Sequence, residues 1–445
     1  MPLTKNSEHL AEITGYTGDG AGVARIDGQV VFIPGTITGE LCRVKILKVN
    51  RTVAYGRLLS VERASEHRIA PDCPAYPKCG GCAYRHMDYE AELAAKQAHV
   101  CSVLARIGGA TVAVDPIVAA PDTARYRNKA QFPVGMQNGQ PVAGFYRAHS
   151  HDIVPTDDCL IQSEFANAAR RVVLAWMRDC AVPAYDEATG RGVVRHIYVR
   201  NTMLCLVVAR TCPQTDALVE RVRRALPDVS GVLLNYQPEK TNVILGARTE
   251  LLFGAKYVAD TLCGNAFQIA PHAFYQVNHA QTERLYAHAV MLAGLSGHET
   301  VLDLYCGAGT ITLALAAHAG RAIGAEIVPQ AVENARIAAQ RGGYENVEFF
   351  CADAAKAANA LEKRGVSVDV VVVDPPRKGL DPSLIETIAQ LAPARVVYVS
   401  CDPATLARDV ARFAPKGYAA QRITPFDLFP RTRHVETVCL LSKTL

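Results

Sequence analysis

An α/β protein built in three parts is predicted by three observations. The first sixty residues alternate apolar and polar side chains in short runs split by Gly-Asp-Gly, Asp-Gly and Pro-Gly turns. Five such strands in so short a span fit a small closed barrel of the OB type. From Tyr286 onward, strand-like runs (VLDLY, AIGAEIV, VEFF, VDVVVVDP, RVVYVS) alternate with Ala-rich helical stretches, the rhythm of a Rossmann-like parallel sheet covered by helices. Between about Val118 and Asp260 strand-like segments dominate, so the middle is β-rich. The expected division is 1–62 for the barrel, 63–92 with 118–260 for the central part, and 93–117 with 261–445 for the α/β part.

Composition narrows the function classes. The 445 residues are 49% apolar and 20% charged, an ordinary globular balance that excludes disorder, collagen-like repeats and coiled coil. The longest apolar runs, such as Met203 to Ala209, are far shorter than the ~18 residues of a membrane span. The start, MPLTKNSEHL, has no apolar core behind a basic leader, so secretion is not expected and a cytoplasmic location is. Fourteen scattered cysteines then read as reduced thiols, some of them metal ligands or catalytic groups. A net charge of +4 is too mild to demand a polyanionic partner.

Within the barrel, the last strands carry Arg43, Lys45, Lys48, Arg51 and Arg57 with no acid between them. Arg43 and Lys45 share a face of an extended strand, as a nucleic-acid groove requires. A helix is expected over Asp88–Arg106, then strands at QFPVGMQ, PVAGFY, VVRHIYVR, MLCLVVAR, GVLLNYQ and NVILGA, with helices at EFANAARRVVLAWMRDC and TDALVERVRRAL. Arg125, Arg127 and Lys129 interleave with Tyr126 and Phe132, a mix suited to phosphate contact and base stacking.

VLDLYCGAGTITLAL reads as a buried strand, a glycine turn and a helix start. Gly307 and Gly309 permit close backbone approach to a ligand at the end of a strand, where open α/β sheets bind ligands. Glu326 ends the next strand, where an acid can hold both hydroxyls of an adenosine ribose, and Asp353 ends the one after, within reach of an adenine edge. The spacing lacks the third glycine of a dinucleotide fingerprint, so S-adenosylmethionine is expected rather than NAD. Asp374-Pro375-Pro376 closes the run VDVVVV and puts a rigid acid at the same edge. Arg377 stands where amino methyltransferases carry a stacking aromatic, which disfavours an exocyclic amine as acceptor. Cys401 directly follows the strand RVVYVS, and Glu436 lies in the late polar cluster FPRTRHVETV. A thiol and a carboxylate converging on one substrate point to covalent catalysis followed by proton removal.

YCGAG from Tyr305, DPPRKGL from Asp374, YVSCDPATLARD from Tyr398 and FPRTRHVETV from Phe429, in that order, closely resemble the motifs of the RNA uracil-5-methyltransferases. AFYQVN, RYRNKAQFPVG and VRHIYVR are similar to that family's upstream segments, and the N-terminal barrel resembles a TRAM domain, an RNA-binding module. The resemblance implies a class I S-adenosylmethionine-dependent domain in which Cys401 is the nucleophile and Glu436 the base, with Gln276, Tyr305, Glu326 and Asp374 as cofactor contacts. Many members carry Asn where this chain has Asp402. A carboxylate there would oppose thiolate formation, so Asp402 is expected to point away from Cys401.

Cys73, Cys79 and Cys82 sit in the turn-rich stretch PDCPAYPKCGGCAYR, and Cys159 follows much later. Four thiolates suit zinc or a [4Fe–4S] cluster; the ribosomal-RNA branch of the family carries such a cluster on a similar pattern. The resemblance therefore implies a [4Fe–4S] cluster on Cys73, Cys79, Cys82 and Cys159, and 23S rRNA with a flipped-out uridine as substrate. A transfer-RNA uridine enzyme and a non-catalytic RNA binder are the alternatives. DNA is not an expected partner, since Ser400-Cys401 lacks the Pro-Cys pair of the DNA enzymes, and a monomer is expected.

Overall fold

The computed structural model describes residues 3–108 and 112–444. The expected bounds at 1 and 445, and positions 109–111 of the 93–117 stretch, lie outside the described residues. β1 (Glu8–Tyr16), β2 (Gly22–Ile26), β3 (Gln29–Ile33), β4 (Leu41–Val49) and β5 (Val53–Arg63) close into a barrel in the order β1-β2-β3-β5-β4. Period-two patterning explains it: Cys42, Val44 and Ile46 of β4 are buried while Arg43 and Leu47 face out. Gly22 is required where β2 crosses the Thr36 side chain, because a Cβ there would overlap its hydroxyl.

Asp88 caps α1 (Tyr89–Val103) by accepting from Ala91 N at 2.9 Å, close to the expected helix start. The central sheet follows: β6 (Lys129–Gln137), β7 (Gln140–Tyr146), β8 (Ile153–Pro155), α2 (Glu164–Asp179), β9 (Val194–Arg200), β10 (Met203–Val208), α3 (Thr215–Ala225), β11 (Gly231–Tyr236) and β12 (Arg248–Gly254). Its order is β12-β11-β10-β9-β6-β7-β8, and the two helices lay Val173, Trp176, Leu218 and Val222 on one face. NVILGA, expected as a strand, is a loop. The Asn235 side chain accepts from Gly246 N at 2.7 Å and donates to its carbonyl at 2.8 Å, holding that segment out of the ladder, and β12 takes the edge instead.

The hairpin of β13 (Val258–Leu262) and β14 (Asn265–Ile269) straddles the division expected at 260. After α4 (His279–Ala293) come β15 (Thr300–Leu304), α5 (Thr310–Ala316), β16 (Arg321–Glu326), α6 (Pro329–Arg341), β17 (Val347–Cys351), α7 (Ala354–Lys363), β18 (Val370–Val373), α8 (Pro382–Leu391), β19 (Arg395–Ser400), α9 (Pro403–Phe413), β20 (Tyr418–Phe426) and β21 (Glu436–Lys443). The order is β17-β16-β15-β18-β19-β21-β20. β15 to β19 pair in parallel as expected, whereas β21 runs antiparallel between β19 and β20, a terminal hairpin the sequence pattern did not show. One core joins the parts: Tyr198, Cys205 and Leu233 of the central sheet pack with Phe267, Tyr275, Leu285 and Val301. Among the described residues no helix is long and apolar enough to cross a membrane.

Candidate active site

The parallel ladder aligns its chemistry by register. Leu304 lies level with Ala325 and with Val373, and Val373 with Tyr398, so Tyr305, Glu326, Asp374 and Cys401 all emerge just beyond one edge. Parallel strands point their C-terminal ends the same way, which is why a cleft forms there. Tyr305 has φ 70°, Gly307 φ 55° and Gly309 φ 79°; a non-glycine held in this region at Tyr305 costs energy, as ligand-facing turns often do. Gly307 N donates to Glu326 Oε2 at 3.1 Å and Val328 N to Oε1 at 2.9 Å, which aims the carboxylate along the loop. Gln276, Tyr305, Gly307, Glu326, Asp374, Cys401 and Glu436 line one cavity of about 630 Å³.

Two expected cofactor residues lie off this wall. Asp353 caps α7, accepting from Ala355 N at 3.0 Å, and is not on the cavity wall. Gly309 makes the turn behind the wall, where a Cβ would press on Ala335 and Phe349.

Cys401 and Glu436 meet through strand pairing. Ser400 pairs with Thr437 across β19 and β21, so the residue after the one and before the other are cross-strand neighbours. Glu436 is 5% exposed, not the solvated surface carboxylate that an isolated polar cluster suggests. Burial pushes its carboxyl up to about 8, with Asp374 adding to the rise and Arg377 opposing it. Burial likewise pushes the Cys401 thiol up to about 12, helped by Glu436 and Asp374 and opposed by Arg377, and Asp374 up to about 7. The thiol, the carboxyl and Asp374 thus share one wall of the cavity, where ionising one disfavours ionising the others. Asp402 turns away as expected: its Oδ1 accepts from Ala404 N at 2.9 Å and Thr405 N at 3.0 Å, capping α9.

The segment leading to Glu436 is fixed from below by a buried ionic cluster that the sequence did not reveal. Lys96 Nζ lies 2.7 Å from both Glu92 Oε1 and Asp427 Oδ1. Tyr89 donates to Asp427 Oδ2 at 2.8 Å, and Arg431 N to Glu92 Oε1 at 2.6 Å. This holds Phe429 and His434, stacked edge to face at 5.9 Å, on the cavity wall. Burial and then Arg377 push His434 down to about 4, so it stands neutral. Asp303, also missed, lies under the glycine turn, 1% exposed, with burial pushing it up to about 7. An acid inside the apolar run VLDLY was the available signal.

The expected RNA-contacting residues divide. Arg127 and Lys129 line the cavity; burial, then Arg200 and Arg127, push Lys129 down to about 8. Arg125 is engaged elsewhere, bidentate on Asp158 at 2.7 and 2.6 Å. Tyr126 is buried with its hydroxyl on the Pro430 carbonyl at 2.9 Å, and Phe132 lies in the central core, so neither ring is open for base stacking. That expectation is corrected: β6 turns Phe132 into the core against α2, and Tyr126, in the stretch before β6, is buried against the segment containing Pro430. Arg43 pairs with Glu62 at 3.1 Å; Lys48 and Arg51 are exposed at the end of β4, and none of the barrel residues lines the catalytic cavity.

Cys73, Cys79, Cys82 and Cys159 gather around a second cavity of about 70 Å³. Gly80 N donates to Tyr146 O at 2.9 Å, tying the 73–82 stretch to the central sheet, and Cys159 N donates to Asn167 Oδ1 at 2.9 Å, fixing Cys159 beside α2. Among the described residues no three acidic, His or Cys side chains converge closely enough to hold a metal ion as they stand; the four thiols surround a space rather than a point. In the same wall Arg85 Nε, Arg127 Nε and Gln162 Oε1 are buried without a hydrogen-bond partner. Burial pushes the Cys79 thiol up to about 11.

Comparison with known proteins agrees with this architecture. Residues 88–444 match the model of the tRNA (uracil-5-)-methyltransferase family, and residues 2–59 that of the TRAM domain. An RNA methyltransferase of Halalkalibacterium halodurans, described as uncharacterised, is 44% identical over 99% of this chain and 98% of its own. One from Clostridium acetobutylicum, likewise described, is 39% identical over 100% of this chain and 98% of its own. Among solved structures, the Pyrococcus abyssi tRNA (uracil-54, C5)-methyltransferase in complex with S-adenosyl-L-homocysteine superposes with a TM-score of 0.77. It covers 97% of this chain and 99% of that one at 24% identity, which shows a shared fold. Matched over four-fifths of its length by one family model, the chain belongs to the tRNA (uracil-5-)-methyltransferase family and carries a TRAM domain at its N-terminal end.

Proposed function

We propose that the protein transfers a methyl group from S-adenosylmethionine to C5 of a uridine in 23S rRNA, through a covalent bond between Cys401 and C6 of the base. The observation that carries this reading is the cross-strand placement of Cys401 beside Glu436 in the cavity that also contains Glu326 and Asp374. The residues fit the cofactor: open space over Gly307 admits a nucleoside against the backbone, and Glu326 offers a carboxylate to ribose hydroxyls. When bound, the cofactor supplies an electrophilic methyl group and a sulfonium charge. Cys401 gives up its thiol proton to solvent and adds to C6 as thiolate, which turns the ring into an enolate nucleophilic at C5. After methylation Glu436, as carboxylate, takes the C5 proton, and Cys401 leaves as the C5–C6 double bond re-forms. Gln276, Tyr305 and Asp374 complete the cofactor's surroundings, and Arg127 and Lys129 stand where a flipped nucleotide's phosphates would pass.

The thiol-walled cavity supports a [4Fe–4S] cluster on Cys73, Cys79, Cys82 and Cys159: its unpaired Arg85 and Arg127 Nε–H groups suit an anionic guest, and thiols around a space suit a cluster better than a single zinc ion. In this reading the barrel binds RNA through Lys45, Lys48 and Arg51, and the chain works as a monomer in the cytoplasm. The test is a 5-fluorouridine-containing 23S fragment with cofactor: a denaturation-resistant adduct is expected with the native protein and none with Cys401→Ala. Adduct formation by Cys401→Ala overturns the mechanism. Preference for a transfer-RNA substrate in the same assay overturns the choice of RNA while leaving the chemistry.

A further inference from the structure

Arg127 is the residue that borders both cavities. Its backbone is clamped between them: Arg127 N donates to Ile161 O at 3.1 Å beside the Cys159 stretch, and the same residue bridges to Asn278 on the other side. Asn278 in turn donates to the Leu428 carbonyl at 3.0 Å, at the start of the segment carrying Phe429. The guanidinium lies over two rings, 5.9 Å from the centre of Tyr126 and 5.7 Å from that of Phe429. Its Nε, like that of Arg85, is buried without a partner in the thiol-lined wall. A buried donor left unpaired is costly, and two such donors on residues that line the thiol cavity, where Arg85 pairs with Asp72 through Nη1, mark a place suited to negative charge.

We propose that Arg85 and Arg127 form the cationic shell of the iron–sulfur cluster, their Nε–H groups donating to its sulfur atoms, and that Arg127 couples the cluster to the seating of Phe429 in the methyl-transfer cavity. This rests on the cluster reading above. Hydrogen bonds and positive charge next to the sulfurs favour the reduced, more negative cluster, so they raise its reduction potential. Because Arg127 cannot shift toward the sulfurs without changing its packing on Phe429, occupancy of the catalytic cavity and the state of the cluster become linked, and linkage acts in both directions.

The experiment is a dithionite titration of the anaerobically purified full-length protein, read by electron paramagnetic resonance, with iron and sulfide content measured alongside. Arg85→Met and Arg127→Met are each expected to keep the native iron content and to shift the midpoint to more negative potential, with Arg127→Lys shifted less than Arg127→Met. Adding a 23S rRNA fragment is expected to move the midpoint of the native protein but not that of Arg127→Met. kcat for methylation is expected to fall by about 10-fold or more in Arg127→Met, the usual scale for removing an outer partner of a metal site. Unshifted midpoints at full iron content overturn the shell. A native midpoint indifferent to RNA overturns the coupling. Absence of iron from the native protein overturns the cluster reading itself, and is seen before any arginine variant is compared. If Arg127→Met fails to load iron, Arg127→Lys and Arg127→Gln carry the same comparison.

Discussion

Cys401 and Glu436 are held in forms that oppose their own ionisation, and this has consequences that pH can read. With the Glu436 carboxyl raised to about 8, the proposed base is largely protonated at neutral pH in the free protein. kcat/KM is therefore expected to climb as pH is raised through about 8; a profile flat across that range would show that Glu436 is not the base. Glu436→Gln is expected to lower turnover by about 10²–10⁴-fold and to accumulate the methylated covalent adduct, detectable on a denaturing gel. The same side chain affects stability. Unfolded, it ionises near 4.5; folded, it keeps its proton up to about 8, so stability declines with rising pH between those values. Glu436→Gln is free of that decline and is expected to melt a few degrees higher than the native protein in buffer above pH 8, a gain that comes at the expense of activity.

At the scale of elements, α9 and α1 do positioning work. Asp402 caps α9 immediately after the proposed nucleophile, and Asn caps equally well. Asp402→Asn is expected to leave turnover within about 2-fold, whereas Asp402→Ala loses about 1 kcal/mol of stability by calorimetry or denaturant melt. A sharp rise in rate for Asp402→Asn would mean that the carboxylate does oppose the thiolate. Beneath the active-site segment, Lys96 is 1% exposed between Glu92 and Asp427. Lys96→Met strands two buried carboxylates and is expected to cost about 3–5 kcal/mol, with Phe429 and His434 losing their seat and kcat falling with it.

Across the whole molecule, the proposed function divides chemistry at the sheet edge from RNA binding at the barrel. Because Arg43 already has Glu62 as a partner, Lys48 and Arg51 are the freer barrel cations, and replacing both with Gln is expected to weaken RNA binding without abolishing the adduct. The slope of log affinity against log salt should flatten by about 0.7–0.9 for each phosphate no longer neutralised; an unchanged slope would remove the barrel from the RNA interface. The thiol cavity ties the 73–82 stretch to the edge of the central sheet, and under the cluster proposal Cys79→Ser is expected to lose the iron and brown colour that the proposal assigns to the native protein. Retention of both in that variant would show Cys79 is not a ligand.

What the sequence determined by itself was local and repetitive, or spelled in contiguous motifs. Period-two alternation predicted the barrel, apolar runs alternating with Ala-rich stretches predicted the parallel sheet, and YCGAG, DPPRKGL and VSCDP marked the strand ends where Tyr305, Asp374 and Cys401 emerge. Tertiary structure decided what depends on which distant groups become neighbours. Only the antiparallel insertion of β21 makes Glu436 a buried partner of Cys401; only packing against α2 takes Phe132 away from solvent; only the Asn235 amide keeps NVILGA out of the sheet. The Glu92, Lys96 and Asp427 cluster joins residues more than three hundred positions apart. Burial and cross-strand adjacency are properties of the closed core, and no window of sequence contains them.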